Sequence, residues 1–438
     1  MMAFKKNLLT MFLSQGGRVL LGVVSTLLLA RFLGAEERGV FAIAITIPTV
    51  LSLLLSLGLP QVNFIFCGLY QKKRNELFSI SMLACFLTSA FAISLILILD
   101  YLGISYFGKI FVEHGYLIVP VCILVALYTF NFVLREMLKG MNEIILISKI
   151  IFFEGVGIFL GYSICFFLKL QLSEALLVQI IVSGITFCIL LARALYFTKL
   201  TLRIKKTFAL KVLKTASVYF LGSVSIAIAL HSPVLLMNYF NVNFVAIACF
   251  SIAFSLVQQC ELVPSVLVNV LLPKLSNAKN SSRETLLYDV LFACKANFIV
   301  FLLVMLLLSV GVYYVFVPLL GSEYDDVGSL FFILALASIV ASSAKIINIY
   351  FNLVEKPFFE MIPTWVRCII QILLCFFLVD SYGVYGVAWA VFFSRLARIV
   401  ISIKMFSKLN KISVLELIPN KSDLLTMISY IKKKKENI

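Results

Sequence analysis

The feature that most constrains this chain is a recurrence. Apolar stretches with very few charged residues return about every 30 to 40 residues from one end to the other, each close to the ~20 residues that a helix needs to cross ~30 Å of hydrocarbon. Read as helices, they have cores near 8–32, 40–59, 78–99, 116–134, 144–168, 175–197, 215–240, 244–271, 294–317, 328–353, 359–379 and 384–405. The expected fold is therefore an all-α integral membrane protein of about twelve spans. Composition agrees: 62% of the residues are hydrophobic and 13% charged, with a mean hydropathy of +1.08, far from a water-soluble domain. The first apolar segment follows Lys5 and Lys6 as a signal peptide would, but it is too long and carries Arg18 in its middle, so it reads as an uncleaved span.

A net charge of +16 would suggest nucleic acid in a soluble protein, and here its distribution gives another answer. With the N-terminus placed in the cytoplasm, alternate loops collect the cations: Lys72, Lys73 and Arg74; then Lys199, Arg203, Lys205, Lys206, Lys211 and Lys214; then Lys274, Lys279 and Arg283; and last the tail. The opposite loops are neutral or acidic, as at Glu323, Asp325 and Asp326. This is the positive-inside pattern; it puts both termini in the cytoplasm and leaves no nucleic-acid partner. The tail adds an amphipathic stretch, Leu424, Leu425, Met427, Ile428 and Ile431, ending in lysines at 432–435 that suit the anionic lipids of the inner leaflet.

The most basic connection, 199–214, lies near the middle and divides the chain into an N-terminal lobe of six spans (1–198), the linker itself, a C-terminal lobe of six (215–405) and a basic tail (406–438). GVFAIA at 39–44 is weakly echoed by ACFSIA at 248–253. Six spans return a chain to its starting side, so a duplication of this kind would be a parallel repeat, which places a substrate path between two bundles. No Walker motif is present, and no inward loop is long enough for a nucleotide-binding domain. The ten cysteines lie mostly in apolar segments, with no CxxC and only two histidines, and read as small hydrophobes. No cofactor or metal is expected.

Charges inside the hydrocarbon are the candidate functional groups, because each costs ~2.5–3.5 kcal/mol at the bilayer centre unless it faces protein or water. At ~1.5 Å per residue, Arg18 falls near mid-depth of the first span, Lys345 past the middle of the tenth, Arg367 ~12 Å into the eleventh and Arg395 near mid-depth of the twelfth. Arg398 lies one turn from Arg395 on the same face. Among the acids, Glu154 is near mid-depth of span five, with Lys149 closer to its cytoplasmic end, and Glu261 is deep in span eight; these three are candidates for ion coupling or charge pairing. The bland reading of each cation is a long stem snorkelling to the interface, strongest for Arg367 and Arg398. Cations on several helices suit an anionic head group, for which arginine offers a planar fork and lysine a compact point charge. Pro48, Pro233 and Pro264 fall inside spans and would bend them.

Several stretches resemble the polysaccharide flippase branch of the superfamily that also holds multidrug and toxin extruders and lipid II flippases. YGVYGVAWA at 382–390 is similar to the family's YGixGaAxA, VPLLGSEY at 317–324 to its PxxGxxY, Glu355, Lys356 and Pro357 to its later gKP, LLPKLS at 271–276 to its LxPxlS, and ARFLGAEERGVF at 30–41 to its ARxLGpxxfGxf. The resemblance implies two six-helix bundles and export, across a bacterial inner membrane, of oligosaccharide units carried on undecaprenyl pyrophosphate, for O-antigen or capsule. It also implies a polysaccharide polymerase and a chain-length regulator as partners. Arg18 looks like the first arginine of the lipid II flippases' opening span, but Val24 stands where those proteins have a second. Ser232 and Pro233 stand where many relatives have an aspartate. In this reading Arg18, Lys345 and Arg395 engage the pyrophosphate. An anionic cargo leaving the cytoplasm gains ~2.3 kcal/mol per charge per 100 mV from an inside-negative potential, so export driven by the potential or coupled to H⁺ or Na⁺ is feasible without ATP. Two alternatives stand beside it. A multidrug extruder of the same fold would want a carboxylate in span one or seven, and neither has one. A membrane polymerase or glycosyltransferase would want larger external loops than these.

Overall fold

The computed structural model describes residues 2–102, 110–201, 204–261, 283–354, 356 and 358–417, with the side chains of 2–15, 18, 112, 283–286, 349, 352, 353 and 415 outside that description. Among these residues the secondary structure is helical, without a strand. Among the described residues nine helical stretches are long and apolar enough to cross a membrane, and Leu59–Leu69 and Phe244–Cys260 are shorter apolar helices. The chain divides into two compact units, 1–251 with 319–324, and 252–318 with 325–438.

The first unit holds α1 (Met2–Leu55), α2 (Leu59–Leu69), α3 (Arg74–Tyr101), α4 (Ile118–Gly140), α5 (Ile144–Leu168), α6 (Leu172–Phe197), α7 (Lys206–Tyr239) and the start of α8 (Phe244–Cys260). Spans one and two are the two parts of α1, separated at Gly34, whose φ of 73° and ψ of 174° no helix accommodates. Span two does not stop where its apolar run ends. After a break at 56–58 it continues as α2, which opens with Pro60 in its first turn, where a missing N–H costs nothing. Gly58 makes the break: its φ is 74°, and a Cβ there would lie 2.3 Å from the Ala216 carbonyl oxygen of α7. α1 packs on α4, α5 and α7, while α4 packs on α2 and α6. The core between them is built from Leu59, Val62, Phe78, Leu134, Met137, Leu190 and Val212. Because α7 packs on α1 and α2, this unit runs on past the basic connection at 199–214, which the loop charges mark as a lobe boundary.

In the second unit α9 (Arg283–Gly311) runs into one turn of π-helix, Val312–Phe316, and is followed by α10 (Asp326–Ala341), α11 (Ala344–Leu353) and α12 (Phe358–Asn410). α12 is two spans. At Gly383 the backbone leaves the helix with φ 53° and ψ −133°, and a Cβ on Gly386 would lie 2.2 Å from the Leu378 carbonyl oxygen. Residues eight apart are ~12 Å apart in a straight helix, so the chain reverses here. Span ten is likewise divided, by the turn at Ser342 and Ser343 that separates α10 from α11. Tyr350, Phe351, Ile399 and Phe406 are at the centre of this unit's core. Large apolar side chains also cover the outside: Leu87, Phe91, Leu95 and Ile98 form an exposed stripe on α3, and Leu303, Leu307, Val310 and Tyr314 form one along α9 and its π-turn. Stripes of this kind fit lipid contact.

Candidate functional site

The second unit gathers four of the five predicted cations. Doubling α12 back at Gly383 sets its two halves side by side, and Ser394 Oγ donates to Gln371 Oε1 at 3.3 Å between them. Arg367, one turn before Gln371, thereby comes within electrostatic range of Arg395 and Arg398, and it is 6% exposed. Such a group of like charges in low dielectric requires anions. Glu261, in the turn after α8, provides one. Arg395 Nη1 donates to Glu261 Oε1 at 2.6 Å and is also hydrogen-bonded to Ser338 of α10, while Ser338 Oγ donates to the same carboxylate oxygen at 3.0 Å. Lys345, in the first turn of α11, meets the same residue differently. Its Nζ donates to the Glu261 main-chain carbonyl at 2.9 Å and lies 3.7 Å from Oε2. The Arg395 side chain is 4% exposed, against 37% for Lys345 and 24% for Glu261, so the lysine is the reachable member of the trio. Arg398 interacts with the carboxylate of Glu360, which itself accepts from Asn348 Nδ2 at 3.1 Å, and its buried Nε has no hydrogen-bond partner among the described residues.

The first unit holds three more of the predicted groups, Glu154, Lys149 and Arg18. Glu154 is paired with Arg135 through both carboxylate oxygens, each 2.8 Å from Nη2, with side chains 16% and 21% exposed. Lys149 is exposed. Arg18 lies in α1, and its side chain is outside the described residues. LLPKLS at 271–276 and Pro264 also lie outside them. Sequence reasoning missed Arg135, because the apolar run ends at 134 while α4 continues to Gly140. It also missed Arg38, 7% exposed, whose guanidinium lies 5.5 Å from the Phe41 ring centre. Ser338 and Gln371 carry no charge and gave no signal. A double-mutant cycle on Arg135→Gln and Glu154→Gln should give a coupling of ~1–3 kcal/mol in detergent-solubilised thermal unfolding, the range for residues sharing one charge network; additive effects would deny that the pair acts as a unit.

Residues 4–279 match the family model described as polysaccharide biosynthesis protein. Among curated protein sequences none matches this chain. Solved structures do match in fold. The lipid II flippase MurJ in an inward closed conformation aligns with a TM-score of 0.76 at 16% identity, over 93% of this chain and 88% of that one. The inward-facing conformation of a multidrug resistance MATE family transporter of the MOP superfamily aligns at 0.71 and 14% identity, over 90% and 96%. A MOP superfamily transporter from Pyrococcus furiosus, whose binding pocket is described as having reverse polarity, aligns at 0.57 and 14%, over 94% and 95%. These neighbours are transporters and a flippase, and at such identities the likeness is one of fold.

Proposed function

Because the chain belongs to the polysaccharide biosynthesis protein family, we propose that it is a flippase that moves an oligosaccharide unit linked to undecaprenyl pyrophosphate across a bacterial inner membrane, toward O-antigen or capsule. One observation carries the reading: among the described residues Lys345, Arg367, Arg395 and Arg398 lie around the carboxylates of Glu261 and Glu360 inside apolar helices, four cations to two acids. A multivalent anion such as a diphosphate complements a cluster rich in cations, and a neutral or cationic cargo does not. Lys345 and Arg398 meet the head group, Arg395 holds Glu261, and Arg18 contributes from the opening span. The sugar rides in a wet path while the isoprenoid stays in the bilayer, and alternating access moves the head group across. Both termini are cytoplasmic, with the basic tail on anionic lipid, and a polymerase and a chain-length regulator take over the product outside.

Depleting the protein should make the oligosaccharide-lipid accumulate on the cytoplasmic leaflet, measured by lectin or periodate accessibility in sealed vesicles. Unchanged lipid-linked sugar on both faces would reject the reading. Arg18→Ala should abolish surface polysaccharide at unaltered membrane abundance, scored by gel and immunoblot; normal polysaccharide would remove Arg18 from the mechanism.

A further inference from the structure

We propose that Glu261 is the residue that makes the cluster selective: an internal counterion that keeps Lys345 from single negative charges and yields it to two adjacent ones. This rests on the reading of the cluster as a diphosphate site.

The two oxygens of Glu261 are unequal. Oε1 is fixed by Arg395 at 2.6 Å and Ser338 at 3.0 Å, both donors lying on residues at least nine-tenths buried. Oε2 faces Lys345 across 3.7 Å, beyond hydrogen-bond length, and the ammonium has its short bond to the main-chain carbonyl instead. A carboxylate fixed at Oε1 and a partly exposed lysine on a flexible stem divide the roles, so the lysine is the group that can change partners. Arg395 is then a positioning residue, which keeps the carboxylate aimed at Lys345.

The energetic consequence is discrimination by charge. A phosphodiester with one negative charge can offer Lys345 only what Glu261 already supplies, and it must approach a carboxylate that stays in place and repels it. A diphosphate brings two charges, one for Lys345 and one for Arg398, whose Nε is buried and unpartnered among the described residues. Anionic phospholipids share the bilayer with a span-buried site, and a purely cationic cluster attracts them. Specificity then requires a repulsive element, and Glu261 supplies it.

The test is calorimetric titration of the full chain in nanodiscs of zwitterionic lipid, with and without phosphatidylglycerol, using farnesyl diphosphate as the probe. The wild-type protein should bind it with an affinity that phosphatidylglycerol barely alters. Glu261→Gln should bind about tenfold more tightly without phosphatidylglycerol, ~1.4 kcal/mol, and lose that gain when it is present. Ser338→Ala, which loosens Oε1 without changing charge, should shift in the same direction by less, and Glu261→Asp should retain the wild-type insensitivity. Wild-type affinity and insensitivity in Glu261→Gln, or in Ser338→Ala where the glutamine variant does not fold, would overturn the inference. Lys345→Gln separates the two levels. If it loses the probe while the Glu261 and Ser338 variants behave as wild type, the selectivity role alone is wrong. If it binds as well as wild type, or wild type does not bind, the diphosphate reading falls as well.

Discussion

Arg395→Ala should strip most of the folded protein from the membrane, and Arg395→Met combined with Glu261→Gln should bring it back without transport. The single change leaves Glu261, half-buried in the second unit, with its short charged bond gone and Lys345 3.7 Å away. Breaking one side of a buried ion pair costs ~3–5 kcal/mol, because the remaining charge is uncompensated. That is a large part of the ~5–15 kcal/mol that holds a typical folded protein together. Replacing both partners by groups of similar volume without charge removes the penalty together with the attraction, and such exchanges are often neutral or stabilising. Size-exclusion profiles and melting temperatures of tagged variants give the answer. A single variant as abundant and as stable as wild type would mean that the Arg395–Glu261 bond is incidental.

Gly58→Ala should be nearly as damaging, although it adds one methyl group. Two costs coincide. The residue holds φ at 74°, where a side chain costs about 1–2 kcal/mol. The added carbon would also lie 2.3 Å from the Ala216 carbonyl oxygen and 2.6 Å from the Phe220 nitrogen, both main-chain atoms of α7 that cannot rotate away. Relief requires α2 and α7 to separate, opening a core that contains Leu59, Val62 and Val212. Gly222→Ala on the same helix α7 is the control. Nothing lies within 4 Å of its would-be Cβ, and an alanine in a helix is favoured by up to ~1 kcal/mol over glycine. Equal yields of the two variants would show that the break at 56–58 tolerates a regular backbone.

The spans were readable because lipid leaves a long apolar run few options. The run 144–168 is α5 residue for residue, and the reversals at Gly34 and Gly383 fall in the short gaps between predicted spans. Hydropathy sees length but not continuity, so the break at Gly58 and the turn at Ser342 and Ser343 were lost inside spans that read as single helices. The cations of the site stood out by the same argument, since a charge in an apolar run is conspicuous. Their pairing did not. Arg395 meets a carboxylate 134 residues earlier, through a serine with no distinguishing context, and nothing local in either segment announces the other. Charge sign and depth are one-dimensional properties, while neutralisation is a property of the packed unit.

The reversal at Gly383 also bears on how the protein is made. The hairpin it creates carries Arg367, Arg395 and Arg398 and is synthesised after α1 to α11, while Glu261 lies on a segment completed long before. Each arginine costs ~2.5–3.5 kcal/mol to leave in lipid alone, so the final hairpin is a poor membrane segment in isolation and a good one beside its counterion. Biogenesis therefore has a direction built into the charges: the acid waits in the bilayer, and the bases enter to meet it.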